Sequence, residues 1–170
     1  MTATGGADSR LVVVRGNPAS GKSSLPRSIR SARPRGIGVL GQDQLRRGIL
    51  HAREEQGNPT VDYLDLSARF ALDRGLHVVV EAILDTDIYG AMLTRLVADH
   101  SGITHCYRFD LDFDETVRRH AGKPQAAEYG ADTMRGWWRS DDALPGVGEQ
   151  IIGPDASLAD TTARVLSDCR

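Results

Sequence analysis

The sequence contains few cysteines and few aromatic residues, and its charge is nearly balanced. The two cysteines are Cys106, in an apolar stretch, and Cys169, near the end, which are too few for a disulfide scaffold or a cysteine-based metal site. Aromatic residues make up 5% of the chain, and proteins that bind single-stranded nucleic acid use aromatic platforms. The net charge of −2 provides no attraction to polyanions. We therefore do not expect nucleic acid as a partner.

Long apolar runs are also missing. No stretch approaches the roughly 18 apolar residues of a membrane span, and the first residues lack the basic-then-apolar pattern of a signal peptide. We therefore expect a cytoplasmic protein without a membrane partner. The 170 residues, 40% of them hydrophobic, suit one domain with its own core. We expect residues 10–170 to form this domain and residues 1–9, which are small and polar, to be disordered.

One motif has a specific spacing. The apolar run at 11–14 is followed by G-x-x-x-x-G-K-S over residues 16–23, and the next segment can be helical. Two glycines let the backbone amides turn into one concavity at a helix N-terminus, where an anion is favoured. In such a loop the lysine reaches the β- and γ-phosphates of a nucleoside triphosphate, and the serine hydroxyl binds Mg²⁺. The residues expected to bind the nucleotide are Gly16, Asn17, Ala19, Ser20, Gly21, Lys22, Ser23 and Ser24.

Strand-like and helix-like segments alternate along the rest of the chain. The apolar, β-branched runs predict strands at 11–15, 36–40, 76–81, 103–109 and 150–152. Helical segments between successive strands require parallel pairing, which predicts a three-layer α/β domain. The helix expected after Thr60 should place five residues on its inner side, namely Tyr63, Leu64, Leu66, Phe70 and Ala71.

Two carboxylates follow predicted strands, where parallel sheets bind their ligands. Glu81 ends the third strand and could hold Mg²⁺ directly or through water; alternatively it faces solvent. Asp43 follows the second strand and could accept the proton of an acceptor hydroxyl during phosphoryl transfer. It could instead cap the following helix, because aspartate favours that position. Arg46 lies one turn further on and could bind an acceptor together with Asp43 and Glu81.

A basic cluster marks a possible lid. The segment Thr116-Val-Arg-Arg-His-Ala-Gly-Lys123 ends a predicted helix and leads into a polar, Gly- and Pro-containing stretch. Arg118 or Arg119 could deliver positive charge over the transferring phosphate from a lid near residues 118–140. The helix dipole alone also favours basic residues at this place. We expect His120 to be a surface residue, and the indoles of Trp137 and Trp138 to pack the lid against the core.

Taken together, these segments resemble the small P-loop kinases of the zeta-toxin and polynucleotide-kinase-like group. The resemblance covers about residues 11–166 and is carried by GNPASGKS, by Asp43-x-x-Arg46, by VVVEAIL at 78–84 and by FDETVRRH at 113–120. Gluconate kinase, shikimate kinase and chloramphenicol phosphotransferase are more distantly similar. The resemblance implies a P-loop NTPase sheet in the order 2-3-1-4-5, MgATP as donor, and Asp43 as base.

The chain also departs from that group. Lys123 stands where related lids often have a second arginine, Ala82 replaces a common glycine after Glu81, and the lid is short. The sequence therefore does not decide which of Arg118, Arg119 and Lys123 brings positive charge to the transferring phosphate. The group phosphorylates sugars, antibiotics, nucleotide-sugars and nucleic-acid ends, so the resemblance does not name the acceptor.

The sequence thus favours an ATP-dependent phosphotransferase that acts on a hydroxyl of a small molecule. Two alternatives remain at this point. A nucleic-acid 5′-hydroxyl kinase would use the same phosphate loop, although the slight acidity and the few aromatic residues argue against it. A nucleotide-binding switch would hold the nucleotide without transferring phosphate, because a fold and a motif do not determine function.

Overall fold

The structure is a computed structural model that describes residues 3–33 and 35–169. Within these residues five strands form one parallel sheet in the order β2-β3-β1-β4-β5. The strands are β1 (Arg10–Gly16), β2 (Ile37–Gly41), β3 (His77–Ala82), β4 (Ile103–Phe109) and β5 (Glu149–Ile152). The all-parallel pairing and the strand order confirm both predictions.

Helices connect the strands. The α-helices are α1 (Leu25–Ala32), α2 (Thr60–Asp73), α3 (Thr86–Asp99), α4 (Phe113–Ala121), α5 (Ala131–Trp137) and α6 (Leu158–Asp168). Short 3₁₀ helices cover Lys22–Ser24 and Pro124–Ala127, and a π-helix covers Gln44–Leu50. Among the described helices, none has the length and apolar character needed to cross a membrane.

The central strand β1 is buried on both faces, as its apolar sequence predicts. Leu11 and Val13 pack into the cluster formed with α2 and α3. Val12 and Val14 point to the opposite face and pack with α1 and α6. Successive side chains of a strand alternate between faces, so one apolar strand contributes to both halves of the core. This arrangement confirms the three-layer α/β fold.

The predicted inner side of helix α2 is confirmed for Leu64, which is buried, and for Tyr63 and Ala71, which are partly buried and pack against the core. The buried residues of this helix are Leu64, Ala68 and Leu72, spaced by four, together with Thr60. Leu66 and Phe70 are 64% and 60% exposed, so their predicted inward position is wrong. They lie two residues after buried positions, which is about 200° around a helix with 3.6 residues per turn. The small side chain of Ala68 carries little hydrophobic signal, although it completes the buried row.

The segment before β1 is ordered where the structure describes it. Thr4 N donates to Asp99 O at 2.9 Å, and Ser101 N donates to Thr4 O at 3.0 Å. The Asp73 carboxylate accepts hydrogen bonds from the Thr4 hydroxyl at 2.8 Å and from Gly5 N at 2.7 Å. These bonds correct the expectation of disorder for the described part of residues 1–9; residues 1 and 2 lie outside the described residues.

Candidate active site

The phosphate loop follows β1 at the carboxyl end of the sheet's central strand. Gly16 and Gly21 adopt φ angles of +148° and +109°, which side-chain-bearing residues rarely adopt. A Cβ atom on Gly16 would lie 2.7 Å from the backbone oxygen of Phe109, so β4 packs against the loop too closely for any other residue. The backbone at Gly21 is constrained by its φ angle rather than by close neighbours.

Lys22 lies at the base of this loop and is 4% exposed. Its ammonium donates to the backbone oxygen of Asn17 at 2.9 Å, and it forms no ion pair with the described residues. Burial lowers the pKa of Lys22 to about 8, and the carboxylates of Glu81 and Asp43 oppose this shift only in part. A buried ammonium that is bound only to a carbonyl is poorly compensated, so the loop is suited to an anionic ligand.

Ser23 and Glu81 lie together beside Lys22. The Ser23 hydroxyl donates to Glu81 Oε1 at 3.4 Å, and Glu81 pairs with Val14 across β3 and β1. Burial raises the pKa of Glu81, while Lys22 opposes the rise. A hydroxyl and one carboxylate fit Mg²⁺, which keeps several waters and takes phosphate oxygens as further ligands. The part of the chain that the structure describes has no cluster of three or more His, Cys, Asp or Glu for a metal.

Asp43 precedes the π-helix, and its carboxylate is 62% exposed. Although it occupies the N-cap position of that helix, its side chain makes no capping hydrogen bond. It accepts instead from Arg46 Nη2 at 2.9 Å and lies 3.3 Å from Arg47 Nε. The arginines therefore hold a carboxylate that remains accessible to a ligand, and Arg46 lies beside Asp43, as its position one helical turn further on predicts.

A hydrogen-bonded network behind Arg46, which joins the buried Tyr89 and Gln42 to the 38% exposed Glu54, was not predicted from the sequence. Glu54 lies 2.5 Å from Arg46 Nε, accepts from the Tyr89 hydroxyl at 2.8 Å and accepts from Gln42 Nε2 at 2.9 Å. Tyr89 is 1% exposed, and burial together with Glu54 raises its pKa strongly. Glu54 belongs to the charged run at 53–55, which has no motif, so only the tertiary contacts reveal its position.

The two lid arginines have different positions. Arg118 has a 77% exposed side chain and pairs with Glu115 on the same helix, and it does not line the pocket. Arg119 reaches the phosphate loop, where Nη1 donates to Ser20 O at 3.2 Å, and its Nη2 donates to Pro154 O at 2.6 Å. Only Arg119 of this pair is thus brought to the predicted nucleotide loop.

The remaining lid residues form an aromatic wall. His120 is 4% exposed, so its expected surface position is wrong; Nε2 donates to Tyr129 O at 2.8 Å. Trp137 meets the Tyr129 ring edge-on at 5.0 Å and lines the pocket. Trp138 packs edge-on against Phe113 of α4 at 5.3 Å, which agrees with the expected packing role for this indole.

The end of the lid is tied back to the loop. Asn17 Nδ2 donates to Arg139 O at 2.7 Å, and Arg139 N donates to Asn17 Oδ1 at 2.8 Å. The Arg139 guanidinium donates to Asp85 Oδ2 at 2.8 Å. The sequence indicated Asp85 only as a cap for the following helix, which it is, and it did not single out Arg139, because Arg139 lies 54 residues from Asp85 and 122 from Asn17.

A buried arginine supports the segment after the lid. Arg15 is 1% exposed; it pairs with the Asp142 carboxylate, and its Nη1 donates to Asp142 O at 2.6 Å. The same nitrogen donates to Glu149 Oε1 at 3.2 Å. The Asp142 carboxylate also accepts from the hydroxyl and the backbone N–H of Thr86. Asp142 therefore joins β1 to the start of α3.

These elements enclose a pocket of about 680 Å³ at the carboxyl end of the sheet. Six of the predicted site residues line it, namely Ala19, Lys22, Ser23, Asp43, Arg46 and Glu81. Lys123, Tyr129, Trp137 and Arg139 line it from the lid side. The predicted residues that do not line it are Gly16, Asn17, Ser20, Gly21, Ser24, Arg118 and Arg119. Phosphate loop, exposed carboxylate and lid thus meet around one cavity.

No family model and no curated protein matches the sequence. Solved structures do match in fold over nearly the whole chain. The APS kinase of Mycobacterium tuberculosis, solved with AMPPNP and APS, is 18% identical with a TM-score of 0.64, and the match covers 98% of each chain. A gluconokinase from Sinorhizobium meliloti is 16% identical with a TM-score of 0.61, and the match covers 98% of this chain and 93% of that one.

A third structure extends this group. The tunicamycin resistance protein of Deinococcus radiodurans is 14% identical with a TM-score of 0.60, and the match covers 94% of each chain. At these identities the likeness concerns the fold. The chain has the fold of the small P-loop kinases.

Proposed function

We propose that this protein is a phosphotransferase that moves the γ-phosphate of MgATP to a hydroxyl of a small molecule. The observation that carries the proposal is that Lys22, Ser23, Asp43 and Glu81 line the same pocket. A buried, uncompensated ammonium at one side and an exposed carboxylate at the other are the groups that donor and acceptor require. The kinases of the same fold support this function as a class.

The phosphate loop would hold the nucleotide. Lys22 binds phosphate oxygens, and the backbone amides from Gly16 to Ser24 surround them. Ser23 and Glu81 would hold Mg²⁺, which offsets charge on the phosphates when it is bound. Arg119 already contacts the loop at Ser20 O and therefore acts on the nucleotide side.

The acceptor would bind on the Asp43 side of the pocket. Its hydroxyl oxygen forms a bond to the γ-phosphorus while the bond from that phosphorus to the leaving ADP oxygen breaks. The hydroxyl proton passes to the Asp43 carboxylate and from there to solvent. Arg46 keeps Asp43 in place through its 2.9 Å hydrogen bond.

We assign the lid cation to Lys123 rather than Arg118. Lys123 and Lys22 line the same pocket, and the charge of Lys123 is the smallest of the influences that shift the pKa of Lys22. Burial and the nearby Arg119 lower the pKa of Lys123 as well. Two ammonium groups without ion pairs to described residues are suited to a phosphate chain between them.

Replacing the proposed base tests this function. Asp43→Asn should lower acceptor-dependent ADP release by about 100-fold or more, because the proton acceptor is lost. MgATP affinity, measured by calorimetry, should stay within about twofold, since nucleotide binding depends on the loop. Asp62→Asn provides the matched control, because Asp62 is exposed on α2 and does not line the pocket.

A second variant separates binding from chemistry. Lys22→Ala should lose MgATP affinity and turnover while its unfolding curve stays cooperative. Full turnover in Asp43→Asn would contradict the assignment of the base. Tight nucleotide binding without ADP release for any acceptor would instead favour the nucleotide switch, and labelling of 5′-hydroxyl oligonucleotides would favour the nucleic-acid kinase.

A further inference from the structure

The cations that line the pocket divide into two groups. Lys22 and Lys123 form no ion pair with described residues, and both belong to the phosphate side. On the acceptor side, Arg46 is paired with both Asp43 and Glu54. Arg139, which also lines the pocket, is committed as well, because its guanidinium pairs with Asp85. Among the described residues on the acceptor side, Arg47 is the one cation available to bind an anionic acceptor. Its side chain is largely exposed and lies beside Asp43.

The pair between Arg46 and Glu54 is difficult to open. The Arg46 side chain is 11% exposed, and Glu54 is held at the same time by Tyr89 and by Gln42. A guanidinium that left this site would give up both of its carboxylate partners, and it would leave Glu54, which is 38% exposed, with only its hydrogen bonds from Tyr89 and Gln42. An anionic acceptor therefore gains little from Arg46.

A negative charge without a partner faces the acceptor side. Glu128 lines the pocket, is exposed, and makes no hydrogen bond or ion pair with described residues. Burial raises the pKa of the Tyr129 hydroxyl, the charges of Glu128 and Asp43 raise it further, and Arg47 opposes the rise. A ligand with a carboxylate or phosphate would be repelled here, whereas an amine would be attracted.

The remaining wall is apolar and aromatic. Ile83, Leu84 and Ile88 line the pocket at the end of β3 and the start of α3. Tyr129 and Trp137 face it from the lid and meet edge-on at 5.0 Å. Such a surface favours an acceptor with an apolar or planar face over a plain polyol.

From these observations we propose that the acceptor is an uncharged or amine-bearing hydroxyl compound with an apolar or planar face, and that anionic acceptors are disfavoured. This inference rests on the phosphotransferase function proposed above. It sets the acceptor apart from APS, the compound present in the structure of the APS kinase with this fold.

Three sets of acceptors, each matched in skeleton and different in charge, test this inference. The first set is glucose, glucosamine and glucuronate; the second is phenyl glucoside and phenyl glucuronide; the third is uridine, 5′-amino-5′-deoxyuridine and uridine 5′-monophosphate. ADP release from MgATP should give a kcat/KM at least about tenfold higher for the neutral or amine member than for the acidic member. The phenyl glucoside should have a lower KM than glucose, because its ring can pack on the aromatic wall.

A charge reversal in the pocket gives the second measurement. Glu128→Lys should raise the ratio of acidic to neutral kcat/KM about fivefold or more, because it removes the repulsion and adds attraction. Asp8→Lys makes the same change in charge at an exposed turn before β1, outside the pocket, and should leave the ratio within about twofold.

The outcomes separate the two proposals. Preference for the acidic member of a set, with turnover that still depends on Asp43, overturns this inference and leaves the phosphotransferase intact. An unchanged ratio in Glu128→Lys also overturns it. If no member of any set releases ADP while MgATP binds, the phosphotransferase itself fails and this inference falls with it.

Discussion

The side-chain amide of Asn17 pairs with the backbone of Arg139 through two hydrogen bonds, at 2.7 and 2.8 Å. One partner belongs to the phosphate loop and the other ends the lid. Arg119, near the start of the lid, bonds to Ser20 O of the same loop. Both ends of the lid are therefore attached to the loop that we propose binds the nucleotide, so a ligand in the loop can influence the position of the lid.

Asn17→Ala should loosen the end of the lid. Two neutral hydrogen bonds contribute about 1–3 kcal/mol together, and their loss should act locally because the loop backbone is unchanged. Hydrogen exchange should become faster over residues 128–140 in the variant, with little change in β1. Equal exchange in both proteins would show that the pairing does not hold the lid.

Lys22 should make the free energy of unfolding depend on pH in the alkaline range. Its pKa is lowered from 10.5 to about 8, so the unfolded chain retains this proton where the folded protein has lost it. The free energy of unfolding should therefore rise from pH 8 to 10.5, by about 3 kcal/mol at most, as the penalty of a buried charge disappears. Urea denaturation of wild type and Lys22→Met across this range measures it.

The comparison with Lys22→Met isolates one group, because all other titrating residues are common to both proteins. The difference between the two stability curves should shrink or change sign as the pH rises through this window. Curves that run parallel would show that the Lys22 ammonium is better compensated than its contacts indicate.

Asp142→Asn should destabilise the fold. Arg15 is 1% exposed and would lose its main carboxylate partner, leaving Glu149 at 3.2 Å. Breaking a buried ion pair on one side costs about 3–5 kcal/mol when the remaining charge is uncompensated, and because Glu149 still faces Arg15 we expect a loss below this range. Chemical denaturation measures the change, and Asp132→Asn, at an exposed position of α5, is the matched control. Equal loss in both variants would contradict the role of this pair.

Glu54→Gln should disturb the acceptor side of the pocket without unfolding the protein. The amide oxygen can still accept from one of the two donors, Tyr89 and Gln42, and the substitution removes the charge opposite Arg46. We expect kcat to fall by about 3- to 30-fold while MgATP affinity is retained, because Arg46 no longer holds Asp43 in one position. A steady-state analysis with calorimetry separates these effects; a loss of MgATP affinity alone would contradict the assignment.

Much of the fold could be predicted from local sequence. The strand β1 is a run of apolar, β-branched residues, and β4 begins and ends at the predicted residues, 103–109. These signals are strong because a parallel strand buried on both faces must be apolar throughout. The phosphate loop was equally clear, since its glycines and lysine occur at a fixed spacing.

Tertiary contacts determine the features for which the sequence prediction was wrong or absent. Thr4 and Gly5 look like a disordered tail, yet Asp73 holds them from the far end of α2. Leu66 and Phe70 look like core residues, yet the sheet lies against the row that contains Ala68. Composition and periodicity describe neighbours along the chain, and they carry no information about such distant partners.

The sequence by itself determined the α/β layers, the phosphate loop and the bounds of each strand to within one residue, because these depend on local periodicity and backbone conformation. Only the tertiary structure decided which groups face one another in the pocket. It paired Arg46 with Glu54 and Arg139 with Asp85, and it left Lys22 and Lys123 without ion pairs among the described residues. The physical reason is that the free energy of a charged group depends on its burial and on its partners, and both are fixed only when the chain has folded.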